Sequence, residues 1–173
     1  MPVARRLPTP PPEPAVADAR VEKIPPSFTV RKDWGIRNET EHDVETIEGV
    51  GPVRGQLLRN VGIRTVDDLL VVGATRRGRQ RLASQVGVAY TTMLRWVYRG
   101  DLLRVRGIGK QYSSLLEAAG VATVTDLSTR NPRYLWQTLR NVNRRRNLVR
   151  RTPPRKTVEV WVHNAQRLEP IVK

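Results

Sequence analysis

Two stretches of this 173-residue chain place glycines at the same spacing ahead of a run of apolar residues. Ile47-Glu48-Gly49-Val50-Gly51 opens the first, and Val105-Arg106-Gly107-Ile108-Gly109 opens the second. Glycines at this spacing let the backbone turn sharply, through dihedrals that a side chain resists. If a helix follows at once, its first amides point outward without intrahelical partners, and the helix dipole adds partial positive charge there. Such a turn can seat one phosphate. The chemistry it offers is the holding of an anion rather than the making or breaking of a bond.

Bond-making chemistry finds little support in the remaining residues. His42 and His163 stand alone, without the spacing of metal ligands. The absence of cysteine excludes disulfides and thiolate metal sites. Ser113 and Ser114 have no recognisable base. No carboxylate cluster suits two-metal phosphoryl chemistry, and no Gly-x4-Gly-Lys-Ser/Thr phosphate loop occurs. No catalytic residue, metal site or cofactor is assigned, and the chain is expected not to be an enzyme.

Charge points to a polyanion as partner. Residues 1–46 hold 7 Lys/Arg against 8 Asp/Glu, whereas the rest of the chain holds 24 against 8. A segment this basic attracts polyanions at long range, and nucleic acid is the commonest one in a cytoplasm. Arginine outnumbers lysine 26 to 5, a bias that a GC-rich genome also produces. Placement is therefore more informative than the total. Residues 127–158 contain ten basic residues and no acid, among them Arg144, Arg145 and Arg146, then Arg150 and Arg151. A solvated helix face ordinarily interleaves glutamates, so this tract reads as a nucleic-acid patch. RRGRQR at residues 76–81 forms a parallel cluster.

The elements that must position these residues form a repeat. Shifted by 58 residues, Asp43–Leu70 overlays Asp101–Ser128 with ten identical pairs in 28, where average composition gives about two. Asp43 and Asp101 each read as the cap of a one-turn helix before the glycines. A helix of about ten residues should follow, with Leu57-Leu58 or Leu115-Leu116 buried and Gly62 or Gly120 as its left-handed stop. Thr65 with Asp68, and Thr123 with Asp126, read as capping boxes that open another helix. Thr75 caps a third helix, and AYTTMLRWVYRGDLL makes a fourth. In the second copy, Asn131 and Pro132 start a helix that turns Leu135, Trp136, Leu139 and Val142 inward. KTVEVWVHNAQRL makes the last helix, although VEVWV alone also suits a strand. Trp96 and Trp161 hold similar places in the two halves and read as core.

The expected architecture is all-α, with two tandem units and trailing helices behind a proline-rich tail. The tail covers residues 1–40, the first unit 41–100 and the second 101–173, and the two units should pack as one globule. The tail is too poor in large apolar side chains to offset its ordering entropy, and Phe28, Val30, Trp34 and Ile36 offer docking points to the folded part or to a partner. No segment approaches the ~20 apolar residues of a membrane span, and no apolar run suits a secretory signal. The expectation is a cytoplasmic protein, with the nucleoid as one location.

The glycines, leucines, capping boxes and repeat together resemble the helix-hairpin-helix motif, whose pattern is apolar-x-Gly-apolar-Gly followed by a helix. Over residues 43–168 the chain is similar to a bacterial family of tandem helix-hairpin-helix domains with no assigned function. The resemblance implies two hairpins side by side that straddle a DNA minor groove. Contacts of that kind go to phosphates, so they position the protein and carry little sequence information. Base-excision glycosylases of this class place an aspartate about 20 residues beyond the hairpin. Here Asp126 comes 17 residues after Gly109, inside a capping box, which argues against that activity.

The expected nucleic-acid contacts are Gly49, Gly51 and Arg54 in the first hairpin, and Arg104, Arg106, Gly107, Ile108, Gly109 and Lys110 in the second. Arg144, Arg145, Arg146, Arg150 and Arg151 join them from the tract. The second hairpin is the stronger phosphate seat on this reading, because Glu48 repels phosphate and Pro52 lacks one donor. Duplex DNA is the favoured partner. RNA or a ribonucleoprotein is an alternative, and so is an adaptor role against an acidic protein partner. Replacing Gly107 by valine is expected to weaken binding without unfolding the domain.

Overall fold

A computed structural model describes residues 42–173, and the proline-rich tail expected over residues 1–40 lies outside them. Among the described residues the fold is all-helical, and no helix is long and apolar enough to cross a membrane. A 3-10 turn at Val44–Thr46 precedes α1 (Pro52–Asn60), α2 (Val66–Gly73), α3 (Arg76–Val86) and α4 (Tyr90–Leu103). The second copy contributes α5 (Lys110–Ala118), α6 (Val124–Ser128), α7 (Pro132–Arg146) and α8 (Arg155–Ala165). The duplication is thus carried through whole helices: α5 repeats α1, α6 repeats α2, and α7 and α8 stand in the places of α3 and α4. VEVWV is helical, because Val158, Trp161, Val162 and Ala165 recur at helical spacing on one buried face.

Local signals set most boundaries. Thr65 accepts from the Asp68 amide while Asp68 accepts from the Thr65 amide, a full capping box at α2. The second box is half formed. Thr123 accepts from the Asp126 amide, but the Asp126 carboxylate reaches one residue further back, to the Ala122 amide. Asn131 caps α7 with Pro132 in its first turn, and Thr75 caps α3. α1 and α5 stop where Gly62 and Gly120 take positive φ.

Two expectations fail for identifiable reasons. Leu58, Leu115 and Leu116 are buried, but Leu57 is 39% exposed; α1 packs on the 3-10 turn and α3, whereas α5 packs on both α4 and α7. Asp101 does not start a helix. It lies inside α4, which runs on across the boundary expected at residue 100, so the last turn of α4 serves as the short first helix of the second copy. This continuity changes a hydrogen bond. In the first copy the Val66 amide donates to the His42 carbonyl. In the second, α4 uses its own main chain, and the Val124 amide donates instead to the Asp101 carboxylate at 2.8 Å. The same carboxylate pairs with Arg104 at 2.8 Å, and both side chains are 2% exposed.

Each copy builds its own core, and the end of α4 joins them. Leu103 packs into the first core with Ile47, Leu58, Leu69, Met93 and Trp96. Leu102, one position earlier, packs into the second with Val105, Leu115, Leu116, Leu139 and Trp161. The carboxy-terminal segment, which has no regular secondary structure, closes the arrangement from outside. Arg104 donates to the Glu169 carbonyl, Ile171 enters the first core, and the Arg79 guanidinium holds the Lys173 carbonyl at 2.9 Å.

Asp43 does cap the first turn, accepting from the Glu45 amide and from Arg59. The Glu45 hydrogen bond, then Arg59, hold its carboxyl below the usual carboxylate range despite some desolvation. A lowered folded pKa stabilises the fold above the unfolded value of about 3.9, and that contribution fades as pH falls through the lowered value.

Asp101→Ala strips the partner from a buried guanidinium and orphans the Val124 amide. Such a break costs about 3–5 kcal/mol. Urea denaturation of the variant should show a midpoint lowered accordingly; an unchanged midpoint would mean that the carboxylate does not anchor the second copy.

Candidate nucleic-acid interface

The two glycine turns are built alike, on tryptophan. Gly49 has φ +92° and Gly107 φ +91°, a region that disfavours any side chain. A methyl group added at Gly49 would lie 3.4 Å from the Trp96 indole nitrogen, and at Gly107 3.0 Å from that of Trp161. The tryptophans come from α4 and α8, the last helices of the two copies, so each turn rests directly on a buried indole. The second glycine differs. Gly51 and Gly109 are extended, and a methyl group there would meet nothing within 4 Å. Each is the N-cap of the following helix, with no side chain bonding the first amides.

The second turn presents the fuller set of donors. The first intrahelical bond of α5 runs from the Ser113 amide to the Gly109 carbonyl, so the Lys110, Gln111 and Tyr112 amides precede it. Gly107, Gly109, Lys110, Gln111 and Tyr112 line an open depression together with Arg150 and Arg151. The Tyr112 hydroxyl donates to the Arg151 carbonyl at 3.3 Å, and its ring lies 5.1 Å from that of Trp161. The turn between α7 and α8 is tied down by Asn143, which donates to the Val149 carbonyl and accepts from the Val149 amide. Two arginines distant in sequence are thereby held beside uncapped amides, which is the arrangement an anion needs.

The first turn is partly closed by its own chain. Pro52 removes one donor from α1. Arg54 bends back to donate to the Gly49 carbonyl at 2.9 Å, with its guanidinium 5.8 Å from the centre of the Trp96 ring. Arg99 donates to the Glu48 carbonyl at 2.7 Å and also engages Glu117 of α5, which Arg95 joins at 2.9 Å. Glu48 itself lies 3.8 Å from the Lys110 ammonium. The two turns are therefore neighbours, bridged by ion pairs that cross from one copy to the other.

The structure gathers Gly107, Gly109, Lys110, Arg150 and Arg151 at one place. Arg106 is exposed beside them, and Gly49 and Gly51 are exposed at the neighbouring turn. Arg144, Arg145 and Arg146 are exposed at the end of α7, where the helix dipole favours cations. Two expected contacts prove internal. Arg104 is buried against Asp101, and Ile108 is 4% exposed with its amide spent on the Val105 carbonyl. Their places beside and within the Gly-Ile-Gly turn suggest contact, but both side chains turn inward. Tyr112 and Gln111 were missed, since nothing in their types marks them before the turn is folded. Among the described residues no three His, Cys or acidic side chains gather as a metal site.

The two glycines of the turn differ in what a side chain costs the fold. Gly107→Val strains a left-handed position and drives Cβ toward Trp161, at a cost of about 1–3 kcal/mol. Gly109→Val meets open space and should lower the melting temperature much less. Thermal unfolding of the two variants checks the order; equal losses would contradict this account of the turn.

No curated protein and no solved structure matches the chain. A family whose description reads "Domain of unknown function (DUF4332)" matches residues 48–168, which take in both glycine turns and every helix from α1 to α8. With well over half its length within that match, the chain belongs to this family of unknown function.

Proposed function

We propose that this chain binds nucleic acid without catalysis, duplex DNA foremost, by seating phosphates on helix-terminal amides flanked by arginine. The observation that carries the reading is the depression at the start of α5, where uncapped amides meet Lys110, Arg150 and Arg151. The glycine spacing and its repetition are similar to the helix-hairpin-helix motif, and the adjacency of the turns suits two phosphate contacts on one duplex. The turns are unequal on this reading. The second takes the phosphate with its amides. The first, with Pro52 and a folded-back Arg54, makes the weaker contact. Phosphate contacts of this kind read little sequence. RNA offers the same phosphates, and a cytoplasmic, nucleoid-associated location fits either polymer.

One observation favours a second reading, an adaptor for a protein partner. Val53 and Leu57 are 77% and 39% exposed on one side of α1, an apolar strip beside the first turn. A protein partner engaged there would not need the amides of α5.

Titration of a duplex DNA with salt, read by fluorescence anisotropy, separates the two. A phosphate binder should lose affinity with a log–log slope near −0.9 for each phosphate engaged. Replacing Arg150 and Arg151 by glutamine should flatten that slope by about 2. Gly109→Val, which fills the approach to the amides, should weaken binding about 10-fold, as the loss of one charge-assisted contact implies. Affinity that ignores salt, or a Gly109→Val protein that binds as tightly as wild type, would remove the phosphate seat.

A further inference from the structure

α7 carries a second feature that the phosphate seat does not use. Leu135 and Leu139 turn inward, and the opposite side of the helix faces solvent along its whole length. Arg133, Gln137, Arg140 and Arg144 follow one line on that side at helical spacing, and Tyr134, Thr138, Asn141 and Arg145 follow the next. Tyr134 is 68% exposed. The Arg140 guanidinium lies 4.8 Å from the centre of the half-buried Trp136 ring, which packs against the second core.

The charge on this face is uncompensated. Between Asp126 and Glu159 the chain has no acid. Those two acids are themselves spent, on Arg130 at 2.6 Å and Arg155 at 2.8 Å. Among the described residues Arg133, Arg144, Arg145 and Arg146 pair with no carboxylate. A face of cations with an exposed aromatic ring on it fits a polymer that alternates phosphates with flat rings. A duplex hides its ring faces in the stack, and an acidic peptide supplies charge with few rings. An unpaired nucleotide strand supplies both, and aromatic residues along a positive track are how proteins hold such strands.

We propose that the outer face of α7 is a stacking ledge for unpaired nucleotides, with Tyr134 as its platform and Arg133, Arg140, Arg144 and Arg145 as its phosphate track. The direction of approach rests on the phosphate seat proposed above. The turn that carries Arg150 and Arg151 to that seat leaves directly from the end of α7, so a strand emerging from a duplex held there runs onto the ledge. The protein then prefers a duplex with a single-stranded extension to a blunt one.

The test uses the full chain, a blunt duplex, and the same duplex carrying a homothymidine tail. The tail should raise wild-type affinity about 10-fold, within the range that stacking of one base on an aromatic side chain provides. Tyr134→Ala should abolish that gain and leave blunt-duplex affinity unchanged, and Tyr134→Phe should keep it. No gain from the tail, or equal loss on both probes in Tyr134→Ala, would overturn the ledge and leave the phosphate seat standing. Tail-dependent binding that needs Tyr134, with no affinity for the blunt duplex, would support the ledge and overturn the seat. Polyglutamate competing as well as homothymidine would overturn the ledge in favour of an acidic protein.

Discussion

The fold depends on a close approach between backbone and indole. In each copy the first glycine of the turn lies against a tryptophan that arrives from the far end of the same repeat. A side chain at Gly49 or Gly107 would push the turn off its support and would resist its positive φ. With the turn seated, the second glycine and the helix amides behind it face outward. The same contact that completes the core thus aims the donors away from it. Trp96 and Trp161 are each 1% exposed, so truncating either would cost the several kcal/mol typical of a buried aromatic and would release the turn as well.

The duplication gives two such turns, and the joint between copies makes them unequal. α4 is continuous through the start of the second repeat, so Asp101 and Arg104 become a buried pair in place of a cap and a surface cation. That pair anchors α6 through Asp101 and the carboxy-terminal segment through Arg104. The second turn then grows from a fixed base. The first turn is steadied differently, by Arg99 and Arg54 on its carbonyls. Those contacts hold the turn, and they bring guanidinium groups to carbonyls that an incoming phosphate would not use. Arg99 and Glu117 carry the support across to α5, which couples the two turns mechanically.

Much of this was legible in the sequence, because the repeat constrains it twice. Gly-x-Gly, the leucines and the Thr-x-x-Asp pairs each name a local geometry, and their recurrence in both copies excludes coincidence. What escaped was whatever depends on the third dimension. Asp101 overlays Asp43 in the repeat, and only the continuation of α4 makes it helical and buried. Arg104 sits among surface-like cations, yet a carboxylate three residues earlier draws it inward. Leu57 repeats Leu115 but is exposed, since α5 packs on α4 and α7 where α1 packs on the 3-10 turn and α3. Conversely, the arrival of Arg150 and Arg151 beside Gly109 follows from how Asn143 folds the turn after α7, which no local pattern announces.

The central claim is that the amides at the start of α5 are the phosphate seat and that those of α1 are the lesser one. Amide chemical shifts in a ¹⁵N-labelled sample, followed while a short duplex DNA is added, report on those donors one at a time. The expected result is that the Lys110, Gln111 and Tyr112 resonances move most, with those of Val53 and Arg54 moving less. Unmoved resonances at Lys110 to Tyr112 while the duplex binds elsewhere would contradict the account.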